Sequence, residues 1–284
     1  MELAKEQDLQ ELFSFLQENV ADCLYLYIDV KKYGLGNPNM TVWIERKGKE
    51  RKIRTVIMRY FDSIQMASDD EDWDKEWLKE QILKERYNSV SGKASMISEV
   101  SSALKPFYHT SYGVVFQLEE YRKFEGVDIV EHAREEDMWE VAELICTDES
   151  FKACYDTEIL EQQLKERLQS GMGRNAVIRA DGKIISHIAT YAEFEDIAIT
   201  SGMITHPDYR TGSYGLLVES SLTNELLDEG KRVYTLVIKK PRKKFLTIMG
   251  AKACGEYGRM TYKRAAAHWG VRKNETGRYT EPIR

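Results

Sequence analysis

The sequence predicts an α/β protein built as two successive units. Helix-like segments alternate with runs of β-formers through both halves of the 284 residues, a length above that of one ordinary compact domain. Asp181-Gly182 between two β-rich runs is the strongest short hairpin signal in the chain. A hydrophobic content of 42% with 11% aromatics is enough for a packed core and argues against disorder. The boundary is expected near residue 126, giving units 1–125 and 126–264 and a polar tail over 265–284.

The first unit opens with a helix over Leu3 to Asn19, where Leu9, Leu12, Phe13, Leu16 and Val20 keep a three-to-four spacing. Leu24 to Val30, rich in β-formers, reads as a strand, and Gly34 to Pro38 break the chain. Two or three strands follow over Met40 to Arg46 and Ile53 to Met66, turning at Lys47-Gly48-Lys49. A helix through Trp77 to Leu83 and a short strand over Tyr87 to Val90 come next. Ser91-Gly92 is expected to open a helix carrying Met96, Ile97, Val100 and Leu104 on one face. Tyr112 to Leu118 closes the unit as a strand.

The second unit reads as strand Val127 to Val130, helix Glu135 to Cys146 and helix Thr157 to Gln169. Ala176 to Ile178 and Ile184 to Tyr191 form the hairpin, and Ile197 to Thr205 is a further strand. Leu216 to Leu227 is a helix ended by Gly230. Arg232 to Ile238 is a strand, Lys243 to Met249 a helix closed by Gly250, and Glu256 to Tyr262 the last strand.

The segment richest in chemistry is Met203-Ile204-Thr205-His206-Pro207-Asp208-Tyr209-Arg210-Thr211-Gly212-Ser213-Tyr214-Gly215, between a strand and a helix. A turn of small residues lets backbone N–H groups converge, and the positive end of the helix adds to their field, so this is an anion site. Glycine at 212 and 215 permits close approach of a diphosphate or a backbone at positive φ.

This segment resembles the coenzyme-A signature of the GNAT superfamily of N-acyltransferases: Arg or Gln, two residues, Gly, one residue, then Gly or Ala. Arg210 and Gly215 match its ends, and Ser213 stands at the central glycine. The order of elements over about Val127 to Arg264 is also similar to that superfamily. The resemblance implies a mixed, mostly antiparallel sheet flanked by helices. The first half, whose late strands and helices echo the second, reads as a degenerate copy in a tandem arrangement or as an accessory α/β unit.

The resemblance further implies transfer of an acetyl or acyl group from acetyl-CoA to the amine of a small molecule or amino acid by direct attack, with no metal. Met203 and Ile204 would offer backbone groups to the pantetheine arm, and Arg210, Thr211, Gly212, Ser213, Tyr214 and Gly215 would hold the pyrophosphate. Gly202 sits where a bulge would part the strand from Tyr234 to Leu236. Many members place a tyrosine four residues before the glycine that ends the next helix; here that position is Leu246, and the accompanying Asn position falls near Lys239. Tyr257 and Tyr262 are the remaining candidates for protonating the thiolate, and Glu193 and Glu195 for a base at a hairpin tip. The alternative is a non-catalytic acyl-CoA-binding or regulatory module.

His187, inside a strand, reads as a structural histidine. Four scattered cysteines, Cys23, Cys146, Cys154 and Cys254, suggest neither zinc nor disulfides. The net charge of -6 excludes a general attraction for nucleic acid or anionic membranes. No run reaches ~20 apolar residues and no leader is evident, so the expectation is a cytoplasmic monomer or homodimer. The basic run from Lys239 to Lys244 is a solvated face or a contact for phosphate.

Overall fold

The computed structural model describes residues 1–148, 156–238 and 240–263. The tail over 265–284, Cys154 and Lys239 lie outside the described residues. The first half runs β1 (Glu2–Leu3), α1 (Leu9–Glu18), α2 (Leu24–Tyr33), β2 (Met40–Lys47), β3 (Lys52–Tyr60), β4 (Ser63–Ser68), α3 (Lys75–Glu85), β5 (Ser89–Lys93), α4 (Ala94–Leu104) and β6 (Tyr108–Leu118). The second repeats that order: β7 (Glu131–His132), α5 (Met138–Ile145), α6 (Thr157–Gln169), β8 (Asn175–Ala180), β9 (Lys183–Phe194), β10 (Ile197–Thr205), α7 (Tyr214–Asp228), β11 (Arg232–Val237), α8 (Lys240–Ile248) and β12 (Lys252–Tyr262).

All twelve strands join one sheet in the order β1-β2-β3-β4-β5-β12-β6-β11-β10-β9-β8-β7. Read from either edge, the sequence of strands is the same, except that β6 and β12 have changed places. Each half has therefore given its last strand to the other. Two pairs are parallel, β4 with β5 and β10 with β11, and each is bridged by a helix, α3 or α7. All other pairs are antiparallel.

The exchange is built into the core. Phe116 and Leu118 of β6 are buried with Ala198, Val218, Leu222 and Val233 beneath α7. Met260 of β12 is buried with Ile97, Val100 and Leu104 of α4. On the opposite face, α1 and α2 cover β2 and β3 and reach across to Ala192, Ile197, Ile199 and Tyr234.

The main correction concerns Leu24 to Val30, which is helix and not strand. Its β-formers suggested a pleated run, but Leu24, Leu26, Tyr27, Ile28 and Val30 are all buried, because α2 packs against both α1 and the sheet and is covered nearly all round. A continuous apolar run does not distinguish a buried strand from a buried helix. Residues 3 to 8 precede α1 rather than belonging to it, Ser91-Gly92 fall within β5, and Val127–Ile129 is a 3-10 turn. The Asp181-Gly182 hairpin turn forms with φ of 50° and 77°, the left-handed pair that this dipeptide favours.

Candidate functional site

The turn after β10 leads into α7 as the sequence suggests. Pro207–Tyr209 forms a 3-10 turn, and Ser213 sits at the helix N-cap without a side-chain capping bond. The amides of Arg210 and Gly212 are used internally, donating to the carbonyls of Pro207 and Tyr209. Those of Thr211, Ser213, Tyr214 and Gly215 have no acceptor among the described residues, as expected for the first turn of a helix. Thr211, Gly212 and Ser213 are exposed, and Tyr214 and Gly215 are half-buried. Arg210 Nε donates to the Thr205 carbonyl at 3.1 Å, tying the guanidinium across the turn.

Neither turn glycine owes its place to positive φ, which corrects part of the sequence argument. The reason is space. A Cβ at Gly215 would stand 3.2 Å from Thr205 Oγ1, and one at Gly212 would stand 2.5 Å from the Tyr214 ring. Gly215 thus lets the start of α7 lie against the end of β10.

Beside this turn the sheet opens. β10 pairs with β11 only from Ile197↔Arg232 to Thr200↔Thr235, so 201–205 leave β11 while β11 continues through Leu236 and Val237 against β6. The divergence coincides with a bulge in β10 between Ser201 and Ile204, where Gly202 takes φ +68°. Met203 and Ile204 flank the opening. The half-buried Met203 joins the α7 side, and the buried Ile204 joins the α5–α6 side.

His187 of β9 lies under the bulge, fully buried, with Nδ1 3.1 Å from the Gly202 carbonyl and Nε2 2.9 Å from Asn175 Oδ1. Burial drives its pKa down to about 4 from 6.5, against a small opposing effect of the Gly202 bond. The ring is neutral at pH 7. Unfolded histidine takes a proton near 6.5 and the folded one does not, so stability is complete above that value and falls as pH drops towards 4. The loss is expected to reach about 3 kcal/mol. Urea unfolding at pH 7 and pH 4.5 checks this: His187→Asn should show a smaller acid loss than wild type.

The four candidate proton-transfer residues are not brought together. Glu193 is buried, and its carboxylate is gripped by Arg174 through Nε at 3.1 Å and Nη2 at 2.5 Å, with Lys231 at 3.4 Å. Arg174 also binds Glu225 of α7 and Glu229, the residue that caps its C-terminal end. Glu195 is exposed and pairs with Lys31 at 3.0 Å, while Asp196 takes Lys31 and Arg232, each at 2.6 Å. Burial would raise the Asp196 carboxyl, but these two cations hold it below its usual value. This hairpin fastens α2 to the second half at the start of β10, about 20 Å from Met203 at ~3.3 Å per residue.

Tyr257 and Tyr262 lie five residues apart on β12 and so face opposite sides of the sheet. Tyr262 packs edge-on to Tyr108, with ring centroids 5.4 Å apart, on the side of α3 and α4. Tyr257 lines a pocket with Cys23, Gln65, Ser91, Val115 and Leu236. Leu236 is the first residue of β11 beyond its last rung with β10. Leu246, at the position the family resemblance gives to tyrosine, is fully buried against the sheet.

Arg242 of the basic run is committed to structure. It pairs with Glu219, fully buried on α7, which also accepts from Tyr121 Oη at 2.8 Å. The first half has no equivalent of the open turn. There the segment before α3 is Asp69-Asp70-Glu71-Asp72-Trp73-Asp74, and the Asp74 side chain accepts from the Trp77 amide at 3.1 Å. A carboxylate occupies the helix end that the second half leaves open.

No family model and no curated protein matches the sequence. Solved structures do. A Drosophila protein superposes with a TM-score of 0.66 over 92% of this chain and 97% of its own, at 13% identity. A tandem GNAT protein from the clavulanic acid biosynthesis pathway gives 0.56 over 92% and 97%, at 12% identity. A GCN5-related N-acetyltransferase from Sphaerobacter thermophilus gives 0.56 over 92% and 94%, at 12% identity. At such identities the likeness is one of fold, and it spans both halves. The chain has the GNAT fold in a tandem two-domain arrangement.

Proposed function

We propose that the chain is an acetyl-CoA-dependent N-acyltransferase acting on a small-molecule amine or amino acid, with a single coenzyme site in the second half. The observation that supports it most is a coincidence of place. The gap between β10 and β11 opens beside the end of β10 that carries the free amides of Thr211, Ser213, Tyr214 and Gly215. An extended pantetheine arm would pair with the edge of β10 at Met203 and Ile204, and the diphosphate would meet the start of α7. Direct attack of the amine on the thioester needs a donor at the carbonyl oxygen and an acid for the leaving thiolate.

Of the candidate acids and bases, Tyr257 is the best placed, since it shares a pocket with Leu236 at the mouth of the gap. Glu193 and Glu195 are read as anchors, because their carboxylates are held by Arg174, Lys231 and Lys31. A contrast of variants follows. Tyr257→Phe should lower kcat by roughly tenfold or more without changing coenzyme affinity. Glu193→Gln should leave kcat within about twofold and reduce stability by about 1–3 kcal/mol. Thiol release from acetyl-CoA over a panel of amines, with urea unfolding, reads both.

One observation favours a second reading, a non-catalytic acyl-CoA-binding module: Leu246 fills the family's usual tyrosine position from within the core. Coenzyme binding with no thiol release on any amine would favour this reading. Turnover abolished by Tyr257→Phe would exclude it.

A further inference from the structure

The bulge in β10 deprives the Gly202 carbonyl of a regular partner on β9, because Ser201 pairs with Ala189 and Ile204 with His187, leaving one residue too many on β10. The His187 ring supplies the missing donor. Its Nδ1 lies 3.1 Å from that carbonyl. A neutral imidazole has one N–H, and the carbonyl only accepts, so the proton sits on Nδ1. Nε2 then accepts, which requires the Asn175 amide, whose Oδ1 stands 2.9 Å from Nε2, to be turned over so that its NH2 group faces the ring; the turn gives up only a weak 3.8 Å contact of that NH2 with Met138 Sδ. His187 is fully buried and Asn175 is 2% exposed, so water does not compete.

The direction of this bond matters for the opposite side of the strand. In a planar trans peptide the N–H of residue i+1 points opposite to the carbonyl of residue i. Holding the Gly202 carbonyl towards β9 therefore turns the Met203 N–H towards β11, into the gap where β10 and β11 have parted. Without the histidine, a glycine at φ +68° has other conformations available, and the 202–203 peptide would be free to rotate.

We infer that His187 is a positioning residue: seated on Asn175, it locks the Gly202–Met203 peptide so that the Met203 N–H is fixed as the donor to the thioester carbonyl of the acyl-CoA. The inference rests on the coenzyme reading above. His187 touches neither substrate. It acts through one peptide plane, which makes a buried, uncharged histidine part of the acyl site.

The carbonyl band of bound acetyl-CoA tests this without an identified amine. With acetyl-CoA labelled with carbon-13 at the thioester carbonyl, isotope-edited infrared difference spectra should show the band moving to lower wavenumber on binding to the wild type. In His187→Leu that displacement should shrink by roughly half or more, with coenzyme affinity by calorimetry unchanged within about threefold. His187→Asn, whose amide places an N–H near the former Nδ1, should restore it. A purely structural histidine would lower thermal stability without moving the band. Asn175→Leu, which removes the support behind the ring, serves as a second variant if His187→Leu does not fold, and it should also reduce the displacement.

An unchanged band in a folded, coenzyme-saturated His187→Leu overturns the inference and leaves the coenzyme reading standing. Absence of acetyl-CoA binding by the wild type overturns both.

Discussion

Ser213→Asp is expected to abolish measurable acetyl-CoA binding while leaving the protein as stable as before or slightly more so. The two effects have one cause. A carboxylate at the N-cap of α7 would satisfy the open amides and favour the helix dipole, a gain of about 0.3–1 kcal/mol. It would also sit in the place proposed for the diphosphate. At ~5 Å and an effective dielectric of ~20, each like-charge pair costs about 3 kcal/mol, so affinity should fall by more than about 100-fold. The first half already carries this arrangement, with Asp74 capping α3 behind four acidic residues. Calorimetry and thermal melting of the variant check both directions. Retained binding would move the coenzyme away from this turn.

The second large effect concerns the exchanged strands. Residues 126–284 produced alone should fail to fold, although they contain the whole turn proposed for the coenzyme. β6 pairs with β11 on one side and β12 on the other, and Phe116, Leu118 and Tyr121 fill the core beneath α7. Removing them strips β11 of a neighbour and leaves a large apolar surface exposed, a loss of several side chains at about 1.5–3 kcal/mol each. Co-production with 1–125 should restore a soluble complex. Circular dichroism and urea unfolding of the fragment alone provide the measurement, and cooperative unfolding with full coenzyme affinity would contradict the expectation.

Much of the second half was legible because its signals are local. Asp181-Gly182 names its own turn, Thr157 to Gln169 and Ile197 to Thr205 have the expected bounds, and the glycines around Ser213 mark the entry to α7. What could not be read is what depends on distant contacts. The strand exchange follows from pairing between residues more than a hundred apart, such as Tyr257 with Gly113, and no local pattern records it. The helical state of Leu24 to Val30 is imposed by cover on both sides. Glu193 and Glu195 looked like the exposed tip of a hairpin, but their partners Arg174 and Lys31 come from elsewhere in the chain. His187 was read as a structural histidine from its place in a strand. Its bond to Gly202 depends on a bulge fifteen residues away.

One coenzyme is expected at the open turn of the second half and none at the acid-capped turn of the first. Titrating acetyl-CoA into the full chain by calorimetry tests it most directly. Saturable binding of about one equivalent per chain is expected, competitive with coenzyme A and lost in Ser213→Asp. No saturable binding, or binding that survives Ser213→Asp unchanged, would contradict it.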